Sequence, residues 1–256
     1  MNNFYVLLIF TGLLSFFAFT SGYSQDNYEI QVYGSDLVKT GNTMFELHSN
    51  TSLKKKPGDQ LFSQDYFRET LEITHGFSHW IELGSYLFTN IGIKGSTDIV
   101  GAHIRPRIAI PAELNLPVGL SLSSEIGYVK KKYADNDWTL ELRPIIDKKW
   151  DRLMLAFNTV FSLGLRNISN QKMELGTAFK ASYDASRKIA VGLEYYGGYG
   201  ALADLLPVSS QQHQLFGVVD VDFGPQWEFN SGLGWSLNEA SDRLIIKFIM
   251  GRRFGF

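Results

Sequence analysis

The stretch LMLAFNTVFSLGL, Leu153–Leu165, decides the fold. Leu153, Leu155, Phe157, Thr159, Phe161, Leu163 and Leu165 take every second place, while Met154, Ala156, Asn158, Val160, Ser162 and Gly164 fill the gaps with smaller or more polar groups. A period of two marks a β-strand with unlike faces. Held over about 13 residues, it is roughly twice the usual strand length in a soluble protein.

The pattern recurs on both sides. Downstream it appears near 172–183, 188–199, 214–223, 227–237 and 244–256, and upstream, more weakly, near 43–53, 66–77, 79–89, 99–110, 118–129 and 137–148. This predicts about twelve antiparallel strands. A soluble sandwich would also alternate, but its strands average about 5–6 residues, whereas strands that cross a bilayer at a tilt need about 9–11. The polar face is also rich in Gly, Ser, Thr and Asn, as suits a confined lumen more than bulk water. The links alternate as well. Those expected outside the cell include Lys54–Gln64, Asn90–Asp98 and Gly200–Ser210, and those expected in the periplasm are tight, except for Pro111–Pro117. Strands can cross hydrocarbon only if the sheet closes and leaves no unpaired edge, so the prediction is an all-β transmembrane barrel.

Composition narrows the reading further. The chain has 256 residues, no Cys and a formal net charge of −2, so neither a disulfide scaffold nor a thiolate metal site nor a nucleic-acid partner is expected. The 19 Phe, 12 Tyr and 5 Trp suit aromatic girdles at the membrane surfaces. Phe4–Phe19 is an apolar run too short for a spanning helix and is followed by small residues, which reads as an export signal over 1–24. Residues 25–42 then form a periplasmic N-terminal segment that could close the lumen from below, and 43–256 form the barrel. The aromatic end, Phe254 and Phe256, is expected to be read by the outer-membrane assembly machinery.

Strand parity sends a charged set inward: Glu46, His48, Arg68, Glu72, Glu82, His103, Arg105, Arg107, Glu125, Glu141, Arg143, Asp147, Glu174, Lys180, Glu194, Asp220, Asp222, Glu228, Lys247 and Arg253. One reading is a salt-bridged ladder that stiffens the wall. The sharper one sets Arg105, Arg107 and Arg143 opposite Glu72, Glu82 and Glu125 across a constriction, giving a transverse field that orients polar solutes. The dipeptides Arg105-Pro106 and Arg143-Pro144 call for a bulge that re-aims each Arg, or for a strand end, since proline removes a ladder donor. The five His are scattered and assemble no triad, so no catalytic residue, metal or cofactor is expected. Lys54-Lys55-Lys56 and Lys130-Lys131-Lys132 fall in outer loops, where lipopolysaccharide phosphates are candidate partners.

Whole segments resemble a family of outer-membrane barrels grouped with the phenol-degradation meta-pathway outer-membrane proteins and loosely described as transporters. The residues that carry the likeness are ETLEITHGF (Glu69–Phe77), HIRPRIAIP (His103–Pro111), PVGLSLSSEIGY (Pro117–Tyr128), LELRPIIDK (Leu140–Lys148), GLEYYGGYG (Gly192–Gly200) and MGRRFGF (Met250–Phe256). The resemblance implies a barrel for small hydrophobic or aromatic compounds and supplies no set of functional residues. The expectation is a channel or transporter passing small molecules through a narrow charged lumen in the Gram-negative outer membrane. The alternatives are a closed structural or adhesive barrel acting through its outer loops, and a lipid-modifying barrel enzyme.

Overall fold

A computed structural model describes residues 28–54 and 66–255. The signal reading over 1–24 and Phe256 lie outside the described residues. The strands are β1 (Asn42–Lys54), β2 (Tyr66–Gly76), β3 (Ile81–Gly92), β4 (Thr97–Ala109), β5 (Gly119–Val129), β6 (Trp138–Trp150), β7 (Leu153–Gly164), β8 (Glu174–Asp184), β9 (Ile189–Ala201), the two-residue β10 (Asp204–Leu205), β11 (Gln212–Val221), β12 (Trp227–Ser236) and β13 (Leu244–Gly255). Neighbours pair antiparallel in chain order, with β10 a short hairpin on β9, so that β9 pairs onward with β11. Closure comes from β13 pairing with β1, Glu46 opposite Gly251 and Lys247 opposite Asn50. The wall is therefore a closed barrel of twelve strands, each of 10 to 13 residues.

Alternation sorts the side chains. In β1, Phe45 and Leu47 are exposed on the outside while Met44, Glu46, His48 and Asn50 are buried inside. The outer surface carries Leu71, Leu87, Ile104, Ile126, Phe157, Leu193 and Phe248 as exposed apolar groups, a band that only lipid can satisfy. Both ends of the barrel chain, Asn42 and Gly255, lie at one rim. At that rim the link at 151–152 is a tight turn and 110–118 holds a single 3-10 turn, Ala112–Leu114. The link expected over Asn90–Asp98 shrinks to 93–96, because β3 and β4 run further than their apolar positions suggest.

The proline expectation is corrected. Pro106 pairs with Leu83 and Pro144 with Leu122 in unbroken registers, and the pairing lapses only on the opposite flank, where the proline has no N–H to give. Both stand in mid-strand with no bulge, and simple alternation is enough to turn Arg105 and Arg143 inward. The register shifts lie elsewhere, at Phe88/Thr89, Leu175/Gly176 and Ser52/Lys54.

Residues 28–41 do not join the sheet. They run along the lumen from Tyr28, beside Asn90 and Asn50 in the half away from the termini, to Gly41, whose N–H bonds to the Gly76 carbonyl at the terminal rim. Glycine is required where this segment touches the wall. A Cβ on Gly76 would lie 2.6 Å from the Lys39 carbonyl oxygen and closer still to that of Val38, and one on Gly119 would strike the Ser35 and Asp147 side chains.

Candidate functional site

The lumen has two walls, and the 28–41 segment lies between them. On the β2–β6 side the inward positions are charged. Arg105 on β4 bonds Glu72 at 2.5 Å and Glu82 at 3.2 Å, and Arg107 pairs with Glu82 at 3.5 Å. On the same side His103 bonds Glu125, and Arg143 holds Glu141 at 2.7 Å. The segment enters this network. The Tyr33 ring sits under three guanidinium groups, those of Arg105 at 4.9 Å, Arg143 at 5.0 Å and Arg107 at 5.6 Å from its centroid. Its hydroxyl donates to Glu29, which lies 3.7 Å from Arg143.

The segment's own backbone is satisfied by side chains from the wall, as a buried chain outside any sheet requires. Arg107 donates to the carbonyls of Gly34 and Asp36, Glu82 accepts the Val38 N–H at 2.7 Å, and Asp147 accepts the Ser35 N–H and its hydroxyl. Asn158 on β7 accepts the Tyr33 N–H and donates to the Tyr33 carbonyl, each at 2.9 Å, much as a strand partner would. Thr70 and Asn50 donate to the Tyr28 carbonyl at 2.8 and 3.3 Å.

The β7–β13 side carries an apolar patch beside its own ion pairs. Ile30 and Val32 pack on Ala156, Ala178, Tyr196, Phe216, Val218 and Ile245. One fully buried cation interrupts that side: Lys247 bonds Glu194 and donates to the Ile30 carbonyl at 3.0 Å, and Tyr196 donates to the same carboxylate at 2.6 Å. Lys180 reaches Glu194 at 3.3 Å and Asp220 at 2.9 Å. Between the segment and the wall is a cavity of about 320 Å³, lined among others by Glu82, Arg105, Arg107, Lys180, Asp220 and Arg253.

Ten of the inward residues expected from parity thus divide into three groups. Glu72, Glu82, His103, Arg105, Arg107, Glu125, Glu141 and Arg143 share one side of the lumen, so the three arginines do not face Glu72, Glu82 and Glu125 across it. They pair along the wall. Asp220 stands on the opposite side, on the cavity. Asp222 is corrected: it lies past the end of β11, exposed in the turn, where its carboxylate accepts the Gly224 N–H at 2.7 Å. Parity also set Tyr196 on the inner face with Glu194, and the segment expected to close the lumen from below contains Tyr28, Ile30 and Tyr33; sequence reading missed the inward apolar groups Phe216 and Val218 and the segment residues Glu29 and Ser35. Three of the five histidine rings serve local contacts, His75 with Thr43, His103 with Glu125 and His213 with Tyr195.

No protein-family model and no curated protein sequence matches the chain. Among solved structures it is similar to an outer-membrane channel from Pseudomonas putida F1, with TM-score 0.58 and 13% identity over 88% of this chain and 100% of that one. It is also similar to the NanC porin, with TM-score 0.54 and 8% identity over 83% and 100%. A third is the KdgM porin in complex with disordered oligogalacturonate, with TM-score 0.52 and 12% identity over 83% and 99%. What this chain shares with them is the closed β-barrel fold of outer-membrane channels.

Proposed function

We propose that the chain is a channel of the Gram-negative outer membrane that passes small molecules between its wall and a resident constriction, residues 28–41. The observation that carries this reading is the charged cavity of about 320 Å³ beside the segment, which is large enough for a small solute. An inside packed with ion pairs and a threaded peptide also narrows the passage more than a bare twelve-stranded wall would. The lining favours solutes with ionic or hydrogen-bonding groups over bare hydrocarbons. Membership of the phenol-pathway family belongs to the same proposal, and an aromatic cargo fits where its ring carries a polar group. So do export through residues 1–24, recognition of Phe254 and Phe256 by the assembly machinery, contact of the lysine-bearing loops with lipopolysaccharide, and a transport rather than a catalytic role.

Because the chain has no cysteine, Ser35→Cys with Asp147→Cys introduces a single tether between the segment and β6. In planar bilayers the untethered chain is expected to give a small unitary conductance, lowered on oxidation of this pair and restored on reduction. Removal of residues 28–38 should enlarge it several-fold. Silence in every form would leave a closed barrel that acts through its outer loops.

A further inference from the structure

We infer that β1 and β2 carry a buried site for a divalent transition-metal ion, held by Glu46, His48 and Glu72. Glu46 and His48 are two apart on β1 and so share its inner face, and the register sets Glu72 of β2 directly opposite Glu46. One donor atom from each lies within 4.8 Å of the other two, and all three residues are buried.

The state of the donors points to a ligand. His48 is fully buried, yet neither of its ring nitrogens has a hydrogen-bond partner, and neither has Oε2 of Glu72. Nε2 of His48 stands 3.4 Å from that oxygen, too far for a well-formed hydrogen bond. A plain histidine–carboxylate pair would close to about 2.8 Å and satisfy the second nitrogen elsewhere. Two carboxylates placed directly opposite each other on a buried face also repel, unless a cation lies between them.

The other oxygen of Glu72 is fixed by Arg105 at 2.5 Å and by the Thr74 hydroxyl at 2.7 Å, which leaves Oε2 turned to His48. Such outer partners orient a ligating carboxylate. Donors about 2.0–2.2 Å from a tetrahedral metal lie about 3.4 Å apart, so the three need draw in by no more than about 1.4 Å. An imidazole with two carboxylates suits zinc and its first-row neighbours better than calcium or magnesium. Glu46 and the free oxygen of Glu72 supply the anionic donors, with the Glu72 charge shared with Arg105. Three protein donors leave a coordination position for water, and Glu46 and Glu72 both border the cavity through which an ion would arrive.

The test uses the full chain, refolded in detergent, with Zn²⁺ titrated against a chromophoric chelator and Co²⁺ as a spectroscopic probe. The expected result is one equivalent of Zn²⁺ per barrel and ligand-field bands of Co²⁺ bound to nitrogen and oxygen. Both should weaken at least about tenfold in His48→Gln and in Glu46→Gln. A shift in gel migration between unheated and heated samples shows that each variant is still a folded barrel, so a loss of binding is not a loss of fold. No binding by the folded chain at millimolar Zn²⁺, or binding that both variants keep, overturns the inference. Metal binding is read whether or not the barrel conducts, so its failure and that of the channel reading are distinguishable.

Discussion

The two sides of the lumen hold one peptide by opposite means. On the β2–β6 side Tyr33 lies beneath Arg105, Arg107 and Arg143, whose charges are matched by Glu72, Glu82, Glu141 and Glu29. On the β7–β13 side Ile30 and Val32 rest on Phe216, Val218, Tyr196 and Ile245. The segment is itself two-faced, with Glu29 and Tyr33 toward the charges and Ile30 and Val32 toward the apolar groups. Buried ion pairs recover little beyond their own desolvation, but each fixes where its partners must sit, whereas apolar burial supplies free energy and is tolerant of position. The charged wall, with Asn158 and Lys247 from the other side, therefore sets the register of the segment, and the apolar patch keeps it in the lumen.

The sharpest way to break this division is Arg105→Met. The guanidinium is the shared partner of two buried carboxylates, Glu72 and Glu82, and lies over Tyr33. Its loss strands Glu72 and leaves Glu82 to Arg107 alone, which should cost about 3–5 kcal/mol in urea unfolding of the refolded barrel. A loss under about 1 kcal/mol would mean that water already fills this wall and that it positions nothing. The smaller effect belongs to the other wall. Ile30→Ala removes buried apolar surface but no charge, and the segment can settle into the gap, so about 2 kcal/mol is expected. That loss should fall on the docking of the segment, read as faster amide exchange and proteolysis over 28–41 with the strands unchanged. Equal loosening of the strands would merge the two walls into one cooperative core.

How much of this was legible depends on which physical rule governs each part. The period of two is rigid, so parity alone turned Glu72, Arg105 and Lys247 inward and Phe45, Ile104 and Phe248 outward, and the strand ends fell within a few residues. Parity fails where a strand stops. Asp222 keeps the inward phase of Asp220, but Gly224, at a φ of 120°, bends the chain and leaves Asp222 to bond the turn. It is also silent where both faces are apolar, as in Leu215–Val219, so Phe216 and Val218 did not stand out as inward groups. Which charges pair is a matter of register between strands. A single sequence does not carry it, and the arginines expected to reach across the lumen pair along their own side. The path of residues 28–41 is hardest to read, because its backbone is satisfied by side chains as distant as Asn158 and Asp147.

The last strand places the same contrast on one element. Lys247 faces inward, fully buried, holding Glu194 and the Ile30 carbonyl, while Arg252 faces outward at the terminal rim, its guanidinium 5.0 Å from the Trp227 ring centroid and 4.9 Å from that of Phe254. An arginine on the outer face of a barrel is tolerated at the interface, where its head reaches the lipid headgroups and its stem lies on aromatic surface. Arg252→Ala gives up that stacking and leaves no buried charge behind, so about 0.5–1 kcal/mol of barrel stability is expected to go. Distant sites without a shared partner lose stability additively. Combined with Ile30→Ala, the change should therefore add its own small loss and leave amide exchange over 28–41 as it was in the single variant. Faster exchange there would show that the lipid face and the lumen are coupled through β13, and that the seam with β1 transmits strain from one to the other.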